Sequence, residues 1–255
     1  MKRKFPFITD NYYHVYNRGI EKRIVYPNDS FYSRFLSILQ HYLEYNYPYS
    51  GFRRSFDQAQ SLEDKQDVLR GFRLKRLDRP PVEIISFCLM PNHYHLALKQ
   101  LVTGGITNYM HRVGTSYTNY FNLRYERSGN LFQGKFKAVH VEREDQLLHL
   151  SRYHHLNPQG IGIRSKKELI DYAWSSLRDY INPSKSSLVN TGVVLSSFAR
   201  KGSYLDFVFA IIDEYEAVRL EGLSLDDDFN WFREFRELNE EWKQSLREKY
   251  LETLL

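Results

Sequence analysis

A single cysteine, Cys88, is all that 255 residues provide. Neither an internal disulfide nor a thiolate zinc cage can be built from it, and such usage points to a reducing compartment. Also missing is any run approaching 18 apolar residues, and the N-terminal stretch MKRKFPFITDNYYHV lacks the apolar centre of a signal peptide. The expectation is a soluble cytoplasmic protein with no membrane partner. There is no internal repeat and no long low-complexity tract. At this length the natural reading is one full-sized core plus an appendage.

What the chain has is rings and a mild excess of positive charge. Aromatics make up 16% of residues, with 20 Tyr and 17 Phe, in a polar chain of mean hydropathy -0.57. Such rings fill a core, and they also stack on unpaired bases. The formal net charge is +5 and the pI about 9.1, which favours a polyanionic partner met by a basic groove instead of a wholly basic surface.

Alternation in YYHVYNRG (12–19) predicts a first strand ended by Gly19, and the spacing of Phe31, Phe35, Ile38, Leu39 and Tyr42 predicts a helix over 29–45. Residues 46–80 mix Pro, Gly and Ser with Arg53, Arg54, Arg70, Arg73, Lys75, Arg76 and Arg79, and read as an insertion or mobile basic arm, either a solvated helix and linker or a segment in contact with nucleic acid. The runs 83–90 and 93–100, separated by Pro91-Asn92, read as a hairpin. A helix is predicted from about Ile106 to Tyr125, a strand over 135–142, and a helix from near Asp145 limited by Pro158. Strand, helix, strand, strand, helix, strand is the order of an α+β, ferredoxin-like antiparallel sheet backed by helices. Residues 1–180 are expected to form this domain. Residues 181–255 read as a helical C-terminal extension, with helical stretches near 203–220 and 226–253.

On a strand, His93 and His95 point to one side while Tyr94, Leu96 and Leu98 point to the other. Two convergent imidazoles can begin a divalent-metal site but cannot close one, and two histidines with no metal explain the pattern as well. In YHHLN (153–157), Tyr153 and Asn157 lie four apart on one helix face. The Asn157 amide oxygen suits a hard ion such as Mg²⁺ or Mn²⁺, and a helix end capped before Pro158 is the plain alternative.

The runs FCLMPNHYHLAL, GNLFQGKFKAVHVE, SRYHHLNP and YAWSSLRDY, with HVYNRG before them, resemble the single-tyrosine HUH transposases, most of all the REP-associated tyrosine transposases. The resemblance runs in order through residues 12–180. It implies an HUH endonuclease fold, a bound Mg²⁺ or Mn²⁺, and a covalent 5′-phosphotyrosine intermediate on single-stranded or hairpin DNA in a prokaryotic cell. Residue by residue, it makes His93 and His95 metal ligands, Asn157 the third ligand, and Tyr153 the nucleophile. Related insertion-sequence transposases have a glutamine at the third position, and Tyr94 fills the bulky middle slot of the histidine motif with an aromatic. The extension after about residue 180 favours the REP-associated group. Monomer and homodimer both remain open.

Several other residues invite a role. Tyr117 and Tyr120 sit on an apolar helical stripe and read as packing. His154 and His155 point to other sides of the helix than Tyr153, and read as structural or DNA-facing. His14 reads as a satisfied core histidine. Arg18, Lys22, Arg23, Lys135, Lys137 and Arg143 flank the sheet edge and are candidates for phosphate contacts, or form a solvated charged face. Besides a DNA transesterase, the chain could be a catalytically silent nucleic-acid-binding regulator, or a metal phosphodiesterase that uses water.

Overall fold

The computed structural model describes residues 6–185, 188–198 and 201–210. Strand β1 (Tyr12–Arg18) leads into α1 (Asp29–Glu44), which Asn28 caps by accepting from the Ser30 amide at 3.1 Å. Two further helices, α2 (Tyr49–Gln58) and α3 (Leu62–Arg73), precede the hairpin of β2 (Val82–Met90) and β3 (His93–Gln100). Then come α4 (Gly105–Arg124), β4 (Lys137–Val141) and α5 (Glu144–Leu156). Beyond a 3-10 turn at Asn157–Ile161 lie α6 (Lys166–Asp171), α7 (Leu177–Ile181), α8 (Gly192–Leu195) and α9 (Lys201–Phe209). The helix expected at 226–253 lies outside the described residues, and of the one expected at 203–220 only the first part is described.

The four strands form one antiparallel sheet in the order β2-β3-β1-β4, the ferredoxin-like arrangement that the element order predicts. Register decides what each face carries. Tyr16 pairs with both His95 and Lys137, and Arg18 pairs with His93. On β2, Cys88 pairs with His95 and Met90 with His93. Partners across a ladder share a face, so His14, Tyr16, Arg18, His93 and His95 all stand on one side. The other side carries Tyr13, Val15, Tyr94, Leu96 and Leu98, all buried, and packs under α1 and α4. There Phe35 of α1 meets Tyr94 at 5.2 Å between ring centres, and the Tyr109 hydroxyl of α4 donates to Leu39 O of α1 at 2.9 Å. Helix α5 covers the histidine face, so the sheet is enclosed on both sides.

Residues 46–80 fold as a helical hairpin inserted between α1 and β2. Its second helix opens on a reciprocal capping box, Ser61 Oγ accepting from the Asp64 amide at 2.9 Å and Asp64 Oδ2 from the Ser61 amide at 3.0 Å. Phe52 and Tyr47 pack on Phe72, and Phe52 also reaches His41 of α1. Three of its arginines are engaged on the surface, Arg53 with Asp57, Arg70 with Asp67 and Arg76 with Glu44.

Two joints fix the sheet end that matters for function. Gly19 ends β1 where a Cβ would stand 2.4 Å from Arg23 O and 2.8 Å from Val25 Cγ1, so no larger residue fits. The loop it opens is stitched to the β2–β3 turn, with the Gly19 amide donating to Asn92 O and the Val25 and Tyr26 amides to Pro91 O. At the outer edge of β2, backbone bonds from Leu89 to Trp174, Ser176 to Phe87 and Asn190 to Ile84 cover the strand. Among the described residues no helix is long and apolar enough to cross a membrane.

The Tyr109 bond spans α4 and α1 on the face away from the histidines. Tyr109→Phe is expected to lower unfolding free energy by about 1 kcal/mol. Urea denaturation checks this, and a midpoint equal to wild type would show that the bond contributes nothing.

Candidate active site

Strand β3 delivers two imidazoles to one end of the sheet, and a neighbour fixes how each is turned. His93 Nδ1 lies 2.6 Å from Asn92 Oδ1, while Asn92 Nδ2 donates to Lys22 O at 3.2 Å. With its amide nitrogen committed there, Asn92 presents its oxygen, so His93 Nδ1 bears the hydrogen and Nε2 the lone pair. His95 Nδ1 lies 2.9 Å from His14 Nε2. When His95 donates in that bond, its Nε2 likewise carries the lone pair. Such orienting partners are what a metal-binding imidazole requires.

Helix α5 brings the second half. Its buried stripe of Leu147, Leu150 and His154 faces the sheet, which turns Tyr153 toward the histidine pair. The half-buried Tyr153 ring meets His95 edge-on at 5.3 Å between centres and His14 at 6.2 Å. His93 and His95 stand 4.9 Å apart, their planes crossed at 88°. His154 Nδ1 is held by Ser86 Oγ at 2.9 Å. His95 Nε2, His154 Nε2 and Asn157 Oδ1 are buried with no hydrogen-bond partner in the protein. Each such atom costs about 1–3 kcal/mol if left without a ligand. Two imidazole nitrogens and an amide oxygen are donors suited to a divalent ion, so the residues fit one.

Burial dominates the electrostatics. It holds His14 down to about 3, and drives His95 well below its ordinary value, with the neighbouring His93, His14, His154 and Arg18 adding to the effect. His154 is lowered likewise, by burial and then by His14 and His155. All three are neutral at pH 7, the form in which imidazole ligates. Tyr16, beside them on β1, is pushed up to about 12 by burial. Buried Cys88 is raised by the same cause, which keeps it an unreactive thiol.

Set against the sequence reading, the structure gathers His93, His95 and Tyr153 at one end of the sheet, with Asn157 a helical turn beyond the tyrosine. It also adds two residues that reading left aside. His14 is a buried, bonded histidine as expected, but its partner is His95. His154 belongs to a cluster in which His14, His95 and His154 offer nitrogens within 4.8 Å of one another. A signal for His154 was present, since it continues the apolar stripe of Leu147 and Leu150. His14 became visible only with the register of β1. His155 is structural, both ring nitrogens being bonded to Ser176 and Tyr204. Tyr117 packs in the core and donates to Val25 O, while Tyr120 lies half-buried under the Arg34 guanidinium.

The basic candidates divide. Arg18 and Lys137 stand on the site face, Lys137 over the Tyr16 ring at 5.9 Å. Lys22 and Arg23 are exposed in the loop stitched to Pro91-Asn92, and Lys135 is exposed just ahead of β4, all at the same sheet end. Arg143 is at the opposite end and is held by both carboxylate oxygens of Asp145 at 2.9 Å.

The sheet end thus holds a strand histidine pair beside a helix tyrosine, the two motifs on which the family resemblance rests. Residues 60–156 match the model of the family described as Transposase IS200 like. That span holds His93, His95 and Tyr153 and stops one residue before Asn157. The matched segment is less than half of the chain and is similar to the IS200-like transposases. It is also similar to a solved REP-associated tyrosine transposase bound to a REP hairpin, with 14% identity and a TM-score of 0.47, over 76% of this chain and 92% of that one. No curated protein matches.

Buried neutral histidines make stability depend on pH. His14 and His155 are each held at about 3 by burial, and His149 at about 3 by burial and the charge of Arg152. Unfolded, each would take up a proton near 6.5. The unfolded chain therefore binds more protons between about pH 3 and 6.5. Stability is complete above that window and falls as pH drops through it, by about 1.4 kcal/mol per pH unit for each histidine. Urea midpoints at pH 7.5 and 5.0 check this, and equal midpoints would refute it.

Proposed function

We propose that this chain is a metal-dependent single-stranded DNA endonuclease and strand-transferase that works through a covalent 5′-phosphotyrosine. The observation that carries the reading is the Tyr153 ring seated 5.3 Å from the ring of His95, whose Nε2, like Asn157 Oδ1 four residues past the tyrosine, is buried and unpartnered. His93 Nε2, His95 Nε2 and Asn157 Oδ1 would hold Mg²⁺ or Mn²⁺. Bound there, the ion supplies charge neutralisation at the scissile phosphate and aligns it for in-line displacement.

The chain's own residues do the rest. A free phenol has a pKa of about 10, so near pH 7 roughly one in a thousand is phenolate. Tyr153 Oη attacks phosphorus, its proton leaves to solvent, and the bond from phosphorus to the upstream 3′ oxygen breaks. That oxygen takes up a proton and departs as a 3′-OH, while the 5′ phosphate stays on the tyrosine. The ester conserves the phosphodiester bond, so a 3′-OH attacking it reverses the step and joins strands. Arg18, Lys137, Lys135, Lys22 and Arg23 at the same sheet end would track the backbone phosphates. Arg143, paired and remote, would not. Hairpin-containing REP-like DNA as substrate rests on the motif resemblance.

One observation favours a second reading of the third ligand. His154 Nε2 is as buried and unpartnered as Asn157 Oδ1, and it lies in the cluster with His95. Mn²⁺ affinity measured by electron paramagnetic resonance separates the two: Asn157→Ala is expected to weaken binding by about tenfold or more, and His154→Ala by less. The reverse ranking would move the ligand to His154.

Incubation with Mn²⁺ and single-stranded hairpins from the DNA flanking the gene is expected to give a denaturation-resistant protein–DNA adduct, absent in Tyr153→Phe. Cleavage without an adduct would mean that water attacks, and binding without either would mean a regulator.

A further inference from the structure

Among the described residues the C-terminal helices pack on the tyrosine helix, and one of their contacts is polar, buried and continuous. His155, two residues past Tyr153, is fully buried and bonded through both ring nitrogens. Nε2 meets Ser176 Oγ at 2.8 Å and Nδ1 meets the Tyr204 hydroxyl of α9 at 2.7 Å. Ser176 Oγ in turn accepts from the Phe87 amide of β2 at 2.9 Å. The Tyr204 hydroxyl donates to Ser151 Oγ at 3.0 Å, and Ser151 Oγ donates to Leu148 O at 2.7 Å.

One direction of donation satisfies every group. The Phe87 amide donates to Ser176, Ser176 to His155 Nε2, His155 Nδ1 to Tyr204, Tyr204 to Ser151, and Ser151 to Leu148 O. Each hydroxyl gives once and accepts once, which leaves only the 3.3 Å contact from Ser176 Oγ to Phe87 O unused. Such a chain strengthens along its length and is costly to interrupt in a buried setting. A second fastening lies beside it: Arg152 donates to Phe207 O at 3.2 Å and lies over the Phe207 ring at 4.3 Å.

The sheet and α9 thus grip α5 on the side away from Tyr153, since residues two apart on a helix project about 200° from each other. That grip sets the rotation of the helix about its own axis. A side-chain tip lies about 5–6 Å from that axis, so a turn of about 10° moves it by about 1 Å. Misplacement of about 1 Å is enough to cost about a hundredfold in rate.

We propose that Tyr204 and His155 are positioning residues for the nucleophile, so that α9 is a working part of the nuclease site. This rests on the reading of Tyr153 as nucleophile. Tyr204→Phe removes only the hydroxyl and keeps the ring stacked on Tyr180 at 4.6 Å. With Mn²⁺ and a single-stranded hairpin oligonucleotide, its rate of adduct formation at saturating DNA is expected to fall at least about tenfold, with DNA affinity unchanged within about twofold. Tyr109→Phe deletes a buried hydroxyl on the far face of the sheet and is expected to lose comparable stability with no loss of rate. A Tyr204→Phe rate equal to wild type, or an equal fall in Tyr109→Phe, overturns the positioning role. Should Tyr204→Phe fail to fold, Ser151→Ala removes the acceptor of the same hydroxyl and is judged by the same two outcomes. Absence of any Tyr153-dependent adduct in the wild type is a different result and removes the reading of Tyr153 as nucleophile itself.

Discussion

The pairing of β1 with β3 at the centre of the sheet is the constraint on which the rest depends. It sets Tyr16 against His95 and Arg18 against His93, which brings His14 within hydrogen-bond reach of His95. A slip of one residue would turn every side chain of β1 to the opposite face. The apolar set of Tyr13 and Val15 would then leave the core under α1 and α4, so the packing that stabilises the sheet also enforces the register that assembles the site. Stability and chemistry are written into one ladder.

The same ladder explains how a buried polar cluster is tolerated. Burying imidazoles is unfavourable unless their nitrogens find partners. Asn92, His14 and Ser86 each take one nitrogen of His93, His95 and His154. The second nitrogens of His95 and His154 are left without protein partners, which concentrates unmet demand beside the Tyr153 ring. Strain of this kind, gathered in one place inside an otherwise satisfied core, is how a fold keeps room for a ligand.

Much of this was legible from residue order. Apolar, strand-like runs on either side of Pro91-Asn92 gave β3 with its ends at His93 and Gln100 and β2 within a residue, and helical spacing gave α1 and α4 within a residue. The facing of His93 and His95 follows from strand geometry, and that of Tyr153 and Asn157 from helix geometry. His14 and His154 were harder because their roles depend on which strand lies beside which, a tertiary fact that local periodicity does not encode. Residues 46–80 were legible as an insertion, and less so as a pair of helices. Their arginines suggest an arm, yet Ser61 and Asp64 form a capping box, and Tyr49, Phe52 and Phe56 recur at helical spacing. Those local signals outweigh Gly51 and Gly71, which lie inside the two helices.

The covered edge of β2 has a consequence for how this protein meets copies of itself. Residues 174–176 and 189–190 occupy the backbone groups that a neighbouring chain would use to extend the sheet. Among the described residues, growth of the sheet is therefore left to the β4 side, a strand of five residues that begins on the exposed Lys137. A molecule built this way can add a strand at one edge of its sheet and not at both.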